Sequence, residues 1–179
     1  MTTTDPSATS LRLVWILALP GFLADQASKW LITRNLTVHQ DSIEVIPGVF
    51  WIHHVMNTGV AFGMANGGRY SNLVFGTIAL LTCGGILLFW RKGYFHNAIS
   101  RVAAALLIGG AIGNLVDRII RGYVVDWVTI DLQFMLWPSF NLADAYICIA
   151  AGLLILSSFL HPAEQEPGAN KQKTPRDTR

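Results

Sequence analysis

An all-α membrane protein, with four transmembrane helices and a small extracytoplasmic β-rich platform and loop, is the fold class that the sequence predicts. Three observations lead there. Of the 179 residues, 52% are hydrophobic and only 13% charged, against roughly 45–50% and about 25% in an ordinary soluble domain. Apolar runs close to the roughly 20 residues that cross a hydrocarbon core recur four times between charged or turn-forming residues. The two long connections between those runs are rich in β-branched and aromatic residues. The same apolar content excludes a largely disordered chain, and two cysteines exclude a disulfide-stapled module. The net charge is only +2. Because Lys171, Lys173, Arg176 and Arg179 crowd the last few positions, no basic surface remains for nucleic acid.

The first span is expected at about 11–32. No small-x-small cleavage site follows its apolar stretch, and the run continues into Asp25, Gln26 and Lys29, which reads as a retained span and not a removed signal peptide. Pro20 predicts a kink within it. Ile43-Glu44-Val45-Ile46-Pro47-Gly48-Val49-Phe50-Trp51-Ile52 then reads as strand, turn and strand, a small sheet at the membrane surface. The second span is expected at about 73–90, and a short basic link leads to the third at about 102–120. The connection from Arg121 to Asn141 is again β-rich, and the fourth span is expected at about 142–160. Residues 1–160 form one integral-membrane domain on this reading, and the polar stretch 161–179 a disordered cytoplasmic tail.

Four spans put both termini on one side. Arg12, Arg91, Lys92, Arg101 and the four tail cations lie on that side, whereas the long connections hold only Arg34, Arg69, Arg118 and Arg121. Cations favour the cytoplasm. The termini are therefore expected to be cytoplasmic and both long loops external.

Ionisable groups at membrane depth cost at least ~2.5–3.5 kcal/mol on insertion scales, so each invites a functional reading. They fall in four clusters. Asp25 and Lys29 share a helix face, and an ion pair that only makes the helix end tolerable accounts for them equally well. Asn57-Thr58-Gly59-Val60-Ala61-Phe62-Gly63 combines an amide with small residues; taken alone it is a turn. In Gly109-Gly110-Ala111-Ile112-Gly113-Asn114-Leu115-Val116-Asp117-Arg118, Gly109 and Gly113 make a small-xxx-small packing face that continues to Asp117. Gly110, Asn114 and Arg118 form the neighbouring stripe. Packing explains the glycines but not the polar residues, although Asp117 with Arg121 fits an i,i+4 pair. The fourth cluster brings Asp126, in the second connection, back towards Asp144, about one turn inside the fourth span. Two carboxylates held together in a poorly hydrated site share a proton, one serving as base towards water and the other as acid. Such a pair hydrolyses peptide bonds without a metal. Paired aspartates also occur in ion and proton pathways, so a small transporter and a non-catalytic helical scaffold remain open at this point. Cys83 and Cys148 lie within apolar runs, and His53-His54 lacks further ligands for zinc.

Taken together, Asp25-Gln26-x-x-Lys29, Asn57-x-Gly59-x-Ala61-Phe62, Gly109-Gly110-Ala111-x-Gly113-Asn114-x-x-Asp117-Arg118, Gly122-x-Val124-Val125-Asp126 and Phe140-Asn141-x-Ala143-Asp144 closely resemble lipoprotein signal peptidase, or signal peptidase II, in order from about Asp25 to Leu156. The resemblance implies an aspartic endopeptidase of the bacterial inner membrane, working without a cofactor. It would cleave signal peptides from prolipoproteins on the N-terminal side of the diacylglyceryl-modified cysteine. It implies Asp126 and Asp144 as the catalytic pair, Asp117 as a supporting residue outside the pair, and Asp25, Lys29, Asn57, Gly110, Asn114, Arg118 and Asn141 as substrate-binding or supporting. Diacylglyceryl-prolipoproteins and membrane lipid are the implied partners, the cyclic peptide globomycin the implied inhibitor, and a monomer the expected unit. Two departures stand out: Val60 follows Gly59 where alanine is common, and Trp127-Val128-Thr129 follows Asp126 where Phe-Ile-Asp is common. On this reading the first connection cradles substrate and the chain after Asp126 is a mobile lid.

Overall fold

The structure is a computed structural model that describes residues 6–59 and 69–161. In chain order it comprises α1 (Pro6–Asn35), β1 (Ser42–Ile46), β2 (Phe50–Asn57), α2 (Arg69–Arg91), α3 (Ala98–Arg121), β3 (Val124–Asp131), β4 (Leu136–Phe140) and α4 (Leu142–Leu160). α1, α2 and α3 cover and slightly exceed the apolar runs that predict them, and α4 coincides with its run. By length and apolarity three of them qualify as membrane spans, Tyr70–Arg91, Ala98–Arg121 and Leu142–Leu160. The chain is a membrane protein. Those three are the candidates among the described residues, and α1 carries Asp25 and Lys29 towards one end. It runs unbroken through Pro20. The tail expected over 161–179 lies outside the described residues, except that the His161 N–H closes α4 on the Ser157 carbonyl.

α3 is the axis of the bundle and packs against α1, α2 and α4. It starts on Asn97, whose side chain accepts the Ser100 N–H, and ends on Gly122 at φ 78°, a left-handed cap that glycine adopts without strain. Its small residues set the packing distances. A methyl group at Gly109 would lie 3.0 Å from the Ala18 carbonyl oxygen of α1, and one at Gly110 only 2.5 Å from the Ala143 carbonyl oxygen of α4. The stripe at Gly109 thus faces α1, and Gly110 sits where α3 and α4 touch backbone to backbone. Away from the sheet, Val14, Ala18, Ile86, Trp90, Ala104, Ala105 and Ile108 make the buried apolar core.

The β-rich connections do not form two separate platforms. They combine into one antiparallel sheet in the order β1-β2-β3-β4, so β2 from the first connection pairs with β3 from the second. Val55 stands opposite Asp126 and Asn57 opposite Val124, which places the candidate residues of both loops at the end of the sheet nearest the bundle. This pairing also corrects the expectation of a mobile lid after Asp126. Residues 124–130 pair with β2 and residues 128–131 also with β4, and a lid requires a segment with few such bonds.

The close approach at Gly110 generates a stability prediction. Gly110→Ala is expected to lower stability by about 1–3 kcal/mol, since backbone on α4 cannot yield as a flexible side chain would. Gly85→Ala, which meets nothing within 4 Å, should be neutral or slightly stabilising. Thermal unfolding of the two purified variants in detergent checks both.

Candidate active site

The site is built where the ends of α1 and α3, the start of α4 and the inner ends of β2 and β3 converge. α4 begins on Asn141, whose extended backbone and side-chain oxygen cap the helix by accepting the Asp144 N–H at 3.0 Å. The Asp144 carboxylate accepts the Asn141 N–H in return at 3.3 Å. This reciprocal cap holds Asp144 in the first turn, where the helix N-terminus favours negative charge. A second free donor of that turn, the Ala143 N–H, goes to Asp25 at 3.0 Å. α1 therefore caps α4 across the bundle.

Next to these residues lies a buried ionic cluster. Lys29 is fully buried and contacts Asp25 at 2.9 Å, Asp117 at 3.1 Å and the Asn114 side-chain oxygen at 3.0 Å. Asp117 also pairs with Arg121 and accepts the Val125 N–H at 3.1 Å, fastening α3 to the start of β3. Gly113 leaves room for Asp25, since a methyl group there would fall 2.6 Å from the carboxylate. Every oxygen of Asp25 and Asp117 is thus engaged by groups that hold elements together. Asp126 and Asp144 are held differently.

Both carboxylates receive side-chain amide donors, and the orientation of each amide is dictated from elsewhere. The Asn57 oxygen accepts the Gly59 N–H at 2.8 Å, so its NH₂ points to Asp126 at 2.8 Å. Gly59 has φ 79° and lies so near Phe75 that no larger residue fits. The Asn141 oxygen is committed to the Asp144 N–H, so its NH₂ donates to the other Asp126 oxygen at 2.7 Å. The Asn114 oxygen faces the Lys29 ammonium, which has only protons to give, so its NH₂ donates to Asp144 at 2.7 Å. Three amides therefore converge on two carboxylates with no rotational freedom left in the assignment. Burial, and then the nearby charge of Asp144, push the Asp126 carboxyl up to about 6.

Arg118 borders this cluster. Its guanidinium donates to the Asn114 carbonyl at 3.0 Å and lies over the Phe75 ring, 5.1 Å from the centroid. It forms one wall of a cleft of about 630 Å³ between α2 and α3, whose other walls include Leu73, Gly76, Leu80 and Leu115. Of the residues the sequence predicts, Asp25, Lys29, Asn57, Asn114, Arg118, Asp126, Asn141 and Asp144 are brought together, while Gly110 contributes through the helix contact. Ala61, Phe62 and Gly63 of the second cluster, and Val60, lie outside the described residues. Gln26 escaped the sequence reading as a site residue: its amide donates to Asp25, to the Gly113 carbonyl and to Asp117. Its signal was its place inside the Asp25-Gln26-x-x-Lys29 motif. Thr129, at the second departure, makes a hydroxyl cluster with His53 and Ser139 across three strands. His54 donates from Nδ1 to the Leu36 carbonyl at 3.0 Å.

The fold and site thus define a helical membrane protein with two aspartates gathered at the join of bundle and sheet. Residues 17–160 match the family profile described as "Signal peptidase (SPase) II". The chain is 40% identical over 141 residues to a lipoprotein signal peptidase of Symbiobacterium thermophilum, covering 79% of this chain and 90% of that one. A lipoprotein signal peptidase of Aeromonas hydrophila is 38% identical over 150 residues, 83% of this chain and 89% of that one. A solved structure entitled "Bacterial membrane enzyme structure by the in meso method at 1.9 A resolution" superposes with a TM-score of 0.73 at 31% identity, over 84% of this chain and 92% of that one. The chain belongs to the signal peptidase II family, and is a peptidase of the membrane.

Two outcomes follow from the burial. Lys29→Met leaves Asp25 and Asp117 without their shared counter-charge and is expected to cost about 3–5 kcal/mol, read from unfolding in detergent. Asp126 binds its proton more tightly folded than unfolded, from an ordinary value of 3.8 to about 6. Its contribution of about 3 kcal/mol is therefore complete below about pH 4 and lost as the pH rises through about 6. Unfolding measured between pH 4 and 7 should show this decline, and Asp126→Asn should flatten it.

Proposed function

We propose that the chain is an aspartic endopeptidase of the bacterial cytoplasmic membrane that removes the signal peptide from diacylglyceryl-prolipoproteins, on the N-terminal side of the modified cysteine. The observation that carries this reading is the set of three fixed amides, from Asn57, Asn114 and Asn141, aimed at Asp126 and Asp144 while Asp25 and Asp117 are consumed by structural contacts. In the reaction, one carboxylate takes a proton from water as its oxygen attacks the scissile carbonyl carbon. The protonated partner hydrogen-bonds the carbonyl oxygen. Collapse of the tetrahedral intermediate breaks the C–N bond, and the leaving nitrogen receives a proton from the pair. Neighbouring like charges do not both ionise readily, and burial together with the charge of Asp144 holds the proton on Asp126 up to about pH 6.

Asn57 and Asn141 orient Asp126, Asn114 orients Asp144, and Lys29 with Asp25 orients Asn114. Arg118 stands where a substrate backbone carbonyl would pass, and the apolar cleft beside it would receive the substrate's apolar portion. Gly110 lets α4 approach closely enough for Asn141 to reach Asp126.

α1 is the fourth span on this reading. Thirty residues of helix extend about 45 Å, and its Asp25 and Lys29 turn inward while Ile16, Leu19, Leu23 and Leu31 face outward. Four spans, with most cations on the side of the termini, put both termini in the cytoplasm and the sheet and dyad outside. One chain supplies every residue of the site, consistent with a monomer.

Cleavage of a purified diacylglyceryl-prolipoprotein tests the proposal. Asp126→Asn and Asp144→Asn, each folded in detergent, are expected to lose at least about 10²–10⁴-fold in rate, and globomycin is expected to block the wild type. Full activity in either variant would remove that residue from the pair.

A further inference from the structure

The end of the sheet farthest from the site is apolar and uncovered. The β1–β2 turn leaves Val45 and Ile46 exposed, and the β3–β4 turn leaves Phe134, Met135, Leu136 and Trp137 exposed, Phe134 at 82% and Leu136 at 64%. These are not two loose loops. The Gln133 side chain donates to the Gly48 carbonyl at 2.7 Å, and the Asp131 N–H donates to the Val49 carbonyl at 2.8 Å, so both turns form one joined surface. Its acids are spent internally: Glu44 accepts the Gly48 N–H and Asp131 the Gln133 N–H, each at 2.7 Å. No Lys or Arg lies anywhere in the four strands.

The sheet is rooted at the bundle's end. Two residues separate α3 from β3 and one separates β4 from α4. At that same end the helices expose Trp30 and Leu31 on α1 and Ile119 and Ile120 on α3, apolar side chains that belong in lipid. A strand of eight residues reaches roughly 25 Å, so the far turns either stand in water with six large apolar groups bare or lie down on the bilayer beside the helices. Large contiguous apolar surface with aromatic residues and no cation is what the region between headgroups and acyl chains accommodates.

We propose that the joined turns form an anchor that inserts into the acyl–headgroup boundary of the bilayer, holding the sheet at a fixed height beside the bundle. Its occupant is lipid and not a protein partner, because links of one and two residues tie the sheet to helices whose own exposed side chains at that end are apolar. Insertion is apolar, without cationic attraction to lipid phosphates. The inference requires only the membrane embedding of the chain and is independent of the proposed peptidase chemistry.

The test places a nitroxide on Phe134→Cys in a Cys83→Ala/Cys148→Ala background, with the protein in nanodiscs of phosphatidylcholine alone or mixed with phosphatidylglycerol. Leu136→Cys serves as a second label position if the first does not fold. Relaxation by oxygen, which partitions into acyl chains, is expected to exceed relaxation by a water-soluble nickel chelate several-fold. The ratio should be the same in both lipid mixtures and at high salt. Relaxation mainly by the nickel complex would place the turns in water and overturn the proposal. Shielding from both agents would mean a protein contact and overturn it equally, as would insertion only with anionic lipid.

Discussion

One buried ammonium holds the sheet-bearing end of this protein together. Lys29 arises from α1 yet meets Asp117 and Asn114 of α3, and through Asp25 it reaches the first turn of α4. A charge without water needs partners of opposite sign and good geometry, or it is expelled. Here the requirement is met by three helices at once, so none of them can slide or rotate without stranding a charge. The site inherits that rigidity. Asn114 is oriented by Lys29, Asn141 by the helix it caps and Asn57 by the Gly59 turn, and the positions of Asp126 and Asp144 follow from these three amides.

The four acids at this end are separated by what surrounds them. Asp25 and Asp117 face cations and backbone N–H groups. Asp126 and Asp144 face neutral amides and each other. Two pairs of the same residue type, within a few turns of one another, thus sit in different surroundings, one tied to cations across the helices and the other to side-chain amides.

Much of this was legible before any coordinates. The helices announce themselves through apolar length, Asp117 and Arg121 through their spacing, and the gathered polar residues through motifs too long for coincidence. The sheet was legible only as β-prone segments. That Val55 lies opposite Asp126 depends on pairing between residues some seventy positions apart, and nothing local in either strand encodes its partner. The same blindness made the chain after Asp126 look like a lid, when it is the strand that receives the first connection. The cap on α4 was within reach: Asn141 three residues before Asp144 follows the spacing of a reciprocal cap, which explains why the acid is held still. In α1, sequence alone does not tell which way Asp25 and Lys29 point, and only the structure shows them paired inside the bundle.

The split origin of the sheet bears on how the protein comes into being. Asp126 is aligned by β2, which precedes it by more than a helical hairpin, and by Asn141, which follows it on α4. A nascent chain that has emerged only as far as α3 holds Asp25, Lys29, Asn57 and Asn114 but neither carboxylate of the candidate pair, and even a chain reaching β3 lacks the residues that complete it. Competence therefore arrives in a single late step, when the final helix docks. Until then no fragment of the molecule brings Asp126 and Asp144 together among other membrane proteins being made around it.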